Sequence, residues 1–268
     1  ITSDLQEQTY QRPPRKKRWE GALEPPCHAP ATVSQRITPL NNCATKQKEV
    51  MARRVPKSAQ QTPDEVLDQL LNPAHFADKV LGISLYKWQK DVLNDLAPID
   101  SRVALRAANG SGKTSTVIAS VLIWHALVYQ RSIAVTTAGV FRQVESQLWP
   151  SLRNHIAKLG GAWEVTSGEI RYLHPNGNTS RIIGYSATDP GRAEGWHAEN
   201  HEMSPLLMVV DEAKTVADPL FEAISRCQPT RLLIASSPGG SSGAFYRAFT
   251  KEADMWKRHA VTAFDCPH

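Results

Sequence analysis

Long hydrophobic runs are missing from this sequence. No apolar stretch reaches the roughly 18 to 20 residues that a membrane-spanning helix needs, and the N-terminus has neither the apolar core nor the small-residue cleavage site of a secretory signal. Hydrophobic residues nevertheless occupy 41% of the 268 positions, enough for the chain to bury a large core. The sequence therefore argues against a membrane protein and favours one large globular domain or two small ones.

Cysteine is also scarce. The few cysteines are spread along the chain without the close pairs that zinc sites and redox motifs require. We therefore expect free thiols and a reducing cytoplasm. The four residues are Cys27, Cys43, Cys227 and Cys266.

Excess positive charge is confined to the N-terminal part of the chain. Residues 1–60 hold 11 Lys or Arg against five Asp or Glu, whereas the remainder holds 20 against 21. The basic character of the whole chain is thus no evidence that its folded part binds nucleic acid. These 60 residues are rich in Pro, Gln and Thr and lack apolar periodicity, so we expect a disordered basic leader.

From residue 61 onward the sequence predicts alternating strands and helices. A capping pattern at Thr62 marks the beginning of a folded domain, residues 61–268. The alternation predicts an α/β fold with a mainly parallel central sheet and helices on both faces. Predicted helices cover Tyr86 to Leu96, Lys113 to Tyr129, Phe141 to Leu159, Asp218 to Cys227 and Ala244 to Phe249. Predicted strands cover Val103 to Leu105, Ser132 to Thr137, a hairpin of Trp163 to Thr166 and Ile170 to Leu173, then Arg181 to Tyr185, Leu206 to Val210, Arg231 to Ala235 and His259 to Phe264.

The stretch RAANGSGKTS, residues 106–115, resembles a phosphate-binding loop between a strand and a helix. In such loops backbone N–H groups surround the phosphates, the lysine reaches the β and γ phosphates, and the following hydroxyl binds Mg²⁺. The full pattern would place glycine where this chain has Ala107, which weakens the match. A plain glycine turn is the alternative interpretation. The predicted nucleotide contacts are Asn109, Gly110, Ser111, Gly112, Lys113, Thr114 and Ser115.

A second motif follows the apolar strand Leu206 to Val210. Asp211 and Glu212 come directly after it, and a buried parallel strand delivers such residues to the ligand crevice of an α/β sheet. We expect Asp211 to hold Mg²⁺ and Glu212 to orient the attacking water.

Two further segments fit the same site. Ser236 and Ser237 follow the next apolar strand and could sense the γ-phosphate, although an ordinary strand exit explains them equally well. Trp88 and Gln89 precede the loop's strand, where the indole could stack on adenine and the amide could read its edge. A core tryptophan beside a solvent-facing glutamine is the alternative.

In this order the segments resemble the ATPase domain of large terminase subunits from tailed bacteriophages or prophages, over roughly residues 80–265. Besides the motifs above, the resemblance rests on Gln147, Leu148 and Trp149, preceded by Gln143, and on the segment from Gly195 to His197. It implies a P-loop NTPase of the ASCE type in the host bacterial cytoplasm, which uses ATP and Mg²⁺ to translocate double-stranded DNA. Implied partners are the portal, the small terminase subunit and other copies in a homo-oligomeric ring.

The resemblance assigns Mg-ATP binding to Lys113 and Thr114, the metal to Asp211, water activation to Glu212, and coupling to Ser236 and Ser237. One departure concerns the positive charge at the γ-phosphate. Many terminases carry arginine in the loop where this chain has Asn109, so Arg106, Arg192 or a neighbouring subunit would have to supply it.

Two other functions stay open. A nucleotide-binding prophage remnant would fold without coupling hydrolysis to work, and a helicase-type DNA-dependent ATPase would share the same motif order but would need a second motor domain. Large terminases also continue into a nuclease with clustered acids. Because Asp265 alone cannot supply such a site, we expect no nuclease domain and no DNA cleavage.

Overall fold

The computed structural model describes residues 70–139, 142, 144–186 and 195–266, all within the unit 41–268. The predicted basic leader, the capping pattern at Thr62, and the residues Gln143 and Arg192 lie outside the described residues. Within the described part, no helix is long and apolar enough to cross a membrane. Cys227 and Cys266 are buried.

The predicted mainly parallel sheet is confirmed. Its eight strands have the order β3-β4-β5-β2-β6-β7-β1-β8. All neighbours from β5 to β8 are parallel, and β3 and β4 add an antiparallel extension. The strands are β1 (Ser101–Ala107), β2 (Ile133–Ala138), β3 (Trp163–Val165), β4 (Glu169–Leu173), β5 (Thr179–Ser186), β6 (Leu206–Asp211), β7 (Arg231–Ser236) and β8 (Lys257–Val261).

Helices cover both faces of this sheet, as predicted. Every residue of β6 and β7 is buried, which explains why both strands are almost continuously apolar. One face packs against α2, α3 and α4, and the other against α5 and α6. The helices are α1 (Pro73–His75, continued by Phe76–Val80), α2 (Lys87–Leu96), α3 (Ala119–Val128, preceded by Lys113–Ile118), α4 (Trp149–Leu159, preceded by Val144–Leu148), α5 (Asp218–Arg226) and α6 (Gly243–Ala248).

The helix that follows the phosphate loop begins with π-helical turns, Lys113–Ile118. Val117 N donates to Gly112 O at 3.3 Å, five residues earlier, before regular α-helix starts at Ala119. Nearly all of α3 is buried, including Val121, Trp124 and Val128. A helix that is apolar on all sides is therefore held between the sheet and its neighbouring helices.

The predicted hairpin is confirmed by the antiparallel pairing of β3 with β4. The predicted last strand, His259 to Phe264, was wrong at both ends, because β8 begins at Lys257 and ends at Val261. Asp265 Oδ2 accepts from Thr262 N at 2.7 Å and from Thr262 Oγ1 at 2.8 Å. This local cap turns the chain out of the sheet before Phe264.

The strand order places the C-terminal ends of three strands, β1, β6 and β7, at one edge of the sheet. Strand β7 pairs in parallel with β1 on one side and with β6 on the other. Because parallel strands end at the same edge, the segments after Ala107, Asp211 and Ser236 are neighbours there. One strand, β7, therefore separates the loop strand β1 from the carboxylate strand β6.

Candidate nucleotide-binding site

The phosphate loop takes its shape from two glycines. Gly110 has φ +75° and Gly112 has φ +85°, values in the left-handed region that glycine adopts without strain. Ala107 is instead the last residue of β1, and it is not among the described residues with positive φ. The missing first glycine therefore places no strain on this loop.

Gly112 is also a point of close approach. A Cβ atom there would lie 3.1 Å from Gln89 Nε2 and 3.2 Å from Thr116 Oγ1. The chain enters its helix directly after Gly112, so the first N–H groups of the helix lack intrahelical acceptors and suit a phosphate. Asn109 and Gly110 are exposed on the loop, while the Ser111 hydroxyl is buried and unpartnered among the described residues.

Lys113 faces the carboxylate motif. Lys113 is only 7% exposed, and its Nζ lies 3.3 Å from Glu212 Oε1. A buried ammonium needs a partner, and here the partner is the predicted catalytic glutamate. A triphosphate at the loop would therefore compete with Glu212 for this lysine.

Thr114 and Asp211 form the second link between the two motifs. Thr114 Oγ1 donates to Asp211 Oδ2 at 2.7 Å. Burial raises the pKa of Asp211, although the Thr114 hydroxyl and the backbone N–H of Glu212 oppose that shift. A hydroxyl and a carboxylate are hard oxygen donors of the kind that hold Mg²⁺ beside phosphates, so these two residues fit the ion. Among the described residues there is no group of three or more His, Cys, Asp or Glu side chains arranged for a metal.

Glu212 sits in an unusual backbone conformation. Its φ of +48° and ψ of +41° are left-handed, which is uncommon for a glutamate. Its N–H donates to Asp211 Oδ1 at 2.9 Å, and its Oε2 accepts from Ser236 Oγ at 3.2 Å. The carboxylate is thus held between Lys113 and Ser236.

Gln89 is buried beneath the loop, where its side chain contacts the loop backbone, and it does not face solvent. It is 3% exposed; its Nε2 donates to Ser111 O at 3.3 Å and its Oε1 accepts from Tyr86 N at 3.0 Å. Trp88, 9% exposed, belongs to the hydrophobic core. An adenine contact by either residue stays a prediction.

Arg106 and Ser115 lie at the margin of the site. The Arg106 guanidinium stacks over the Phe249 ring at 4.8 Å. Its neighbours Leu105 and Ala107 instead point into the core that also contains the residues of α3. Ser115 is exposed on the first turn of the helix. Their roles toward a nucleotide stay predictions, and no described contact joins Arg106 to Lys113 or Glu212.

Sequence patterns missed three residues around Glu212. Lys214 Nζ donates to Ser237 Oγ at 2.6 Å. Thr215 Oγ1 donates to Glu212 O at 2.8 Å, and a Cβ atom on Gly139 would overlap that same hydroxyl oxygen. The contacts of Lys214 with Ser237 and of Thr215 with Gly139 join segments that are distant in sequence, so no local signal marks them.

The loop, the carboxylate strand and the mainly parallel sheet together define a P-loop NTPase fold. No protein-family model matches the sequence, and no curated protein sequence does either.

Solved structures of large terminases are similar to the chain. The large terminase of a thermophilic bacteriophage aligns with a TM-score of 0.56 at 14% identity, over 68% of this chain and 47% of that chain. The complex of the same terminase with ADP aligns at 0.54 and 14%, over 68% and 46%. The ATPase domain of the Thermus phage P74-26 large terminase aligns at 0.54 and 17%, over 70% and 85%. The resemblance predicted from the motifs is confirmed as one of fold, and the chain spans less than half of the first of these terminases.

Proposed function

We propose that the chain hydrolyses ATP with Mg²⁺ and that hydrolysis powers translocation of double-stranded viral DNA. The observation that carries the proposal is the meeting of the two motifs, with Lys113 at 3.3 Å from Glu212 and Thr114 at 2.7 Å from Asp211. The likeness to a large terminase in complex with ADP and to the ATPase domain of another large terminase supports the same function.

The phosphate loop and the carboxylate motif divide the roles in this proposal. The loop from Asn109 to Ser115 binds the phosphates through its N–H groups. Lys113 gives up its ion pair with Glu212 and contacts the phosphates instead. The carboxylate released in this way can orient a water molecule and accept its proton. Thr114 and Asp211 would hold Mg²⁺, which would neutralise charge on the phosphate oxygens.

The positive charge that Asn109 cannot provide is assigned to Arg106, Arg192 or a neighbouring subunit of a ring. Portal, small terminase subunit and double-stranded DNA are the proposed partners, in the cytoplasm of a bacterial host. The expectation that the chain does not cleave DNA stays a prediction.

Nucleotide binding and steady-state ATP turnover test the proposal directly. We expect turnover that disappears when Mg²⁺ is chelated, rises with linear double-stranded DNA, and is lost together with binding in Lys113→Ala. Mg-ATP binding without turnover, with DNA present, would instead support the remnant.

A further inference from the structure

Lys214 lies in the turn that follows Glu212 and reaches across to the exit of β7. Its Nζ donates to Ser237 Oγ at 2.6 Å and to Pro238 O at 3.4 Å. Its aliphatic stem runs beside Gly239, where a Cβ atom would lie 3.5 Å from Lys214 Cδ. One flexible side chain thus fixes its ammonium at two acceptors of a neighbouring segment.

The residue before Ser237 contacts Glu212 itself. Ser236 Oγ donates to Glu212 Oε2 at 3.2 Å. Consecutive serines at the end of β7 therefore hold the turn at two points, the glutamate carboxylate and the Lys214 ammonium. Any shift of this turn relative to β7 changes the position of the carboxylate.

On its other side the turn packs against the exit of β2. Gly139 leaves no room for a Cβ atom beside Thr215 Oγ1. Thr215 also returns two hydrogen bonds to Glu212 O, from Oγ1 at 2.8 Å and from N at 2.9 Å. The turn is therefore fixed toward β2 by packing and toward β7 by hydrogen bonds.

Glu212 needs such support because its left-handed backbone is strained. A non-glycine residue at φ +48° is retained where surrounding contacts over-determine it. A lysine suits this task because a long stem carries three donors on one ammonium.

We propose that Lys214 is a positioning residue, whose hydrogen bond to Ser237 holds the turn so that Glu212 can orient the attacking water. The inference rests on the proposed function, since it assigns that role to Glu212. Lys214 would thus affect the rate of hydrolysis and leave the binding of ATP unchanged.

The test compares Lys214→Met, Lys214→Arg and Lys251→Met, the last at an exposed lysine after α6. Lys214→Met keeps the stem and should lower kcat about tenfold, because small misplacements of reacting groups slow catalysis strongly. Its KM should stay within about twofold, and Lys214→Arg should recover most of the rate because it retains donors. Added to Ser237→Ala, Lys214→Met should lower kcat by less than about twofold, since their shared bond is already lost.

Hydrogen exchange of the nucleotide-free proteins separates this inference from the proposed function. The backbone at residues 212–215 should exchange faster in Lys214→Met than in Lys251→Met. Absence of turnover in the wild-type protein would contradict the proposed function, and equal exchange rates in these two variants would then overturn the role of Lys214. In a protein that does hydrolyse ATP, equal kcat in the two variants, or a loss confined to KM, would overturn it.

Discussion

The phosphate loop obtains its left-handed residues from glycine, whereas the turn after Asp211 places a glutamate in the same region. Gly110 and Gly112 adopt φ +75° and +85° without a Cβ atom to resist them, and Glu212 adopts +48° with one. A non-glycine residue in this region is disfavoured by roughly 1 to 2 kcal/mol. The left-handed residues of the loop therefore need no outside support, while the turn depends on Gly139, Ser236 and Ser237 from other parts of the chain.

Among the substitutions that compare the loop with the turn, the largest effect is expected where the two meet, at Asp211. Asp211→Asn should lower ATP turnover by about 100-fold, the scale seen when one preorganised electrostatic group is removed. It should also alter the pH dependence of stability. Burial raises the pKa of Asp211, so the folded chain binds this proton more tightly than the unfolded chain. The wild-type free energy of unfolding consequently falls relative to Asp211→Asn as the pH rises through that pKa.

Asp218→Asn is the matched control for this measurement, because the hydrogen bond from Arg247 lowers the pKa of Asp218. The stability contributed by Asp218 is present above its unfolded pKa and lost as the pH falls through the folded one, so its wild-type advantage should grow with pH. Urea unfolding across a pH series measures both variants. If the difference in the free energy of unfolding between wild type and Asp211→Asn does not change with pH, the raised pKa of Asp211 is contradicted.

Gly139→Ala tests whether the turn depends on distant packing. The added methyl group would overlap Thr215 Oγ1, and overpacking of this kind costs about 1 to 3 kcal/mol of stability. Denaturant unfolding should report the loss. The same substitution in a Thr215→Ala background should cost less, because the overlapping oxygen is gone. An equal loss of stability in both backgrounds would show that Gly139 does not support the turn through its contact with Thr215.

Gly112→Ala tests the local character of the loop. The alanine meets a strained φ together with Gln89 and Thr116, so the free energy of unfolding should fall by about 1 to 2 kcal/mol and ATP binding should weaken. Gly110→Ala carries the φ strain alone, because nothing lies within 4 Å of its Cβ position. Equal losses in the two variants would show that the contacts with Gln89 and Thr116 do not matter.

The sequence predicted what depends on neighbouring residues. Apolar runs predicted β6 and β7, and Gly112, Lys113 and Thr114 predicted the loop. What it missed depends on strand order, because the adjacency of β6 and β7 is what places Lys214 against Ser237. Gln89 was misjudged as solvent-facing in one interpretation because its partner is the backbone oxygen of Ser111, which leaves no trace in residue type.

The central claim is that Glu212 activates water for ATP hydrolysis at this loop, and Glu212→Gln tests it most directly. The amide keeps the size of the side chain but cannot accept the proton, so Mg-ATP binding should survive while steady-state turnover falls by about 100-fold or more. Equal turnover in the variant and the wild-type protein would contradict the account.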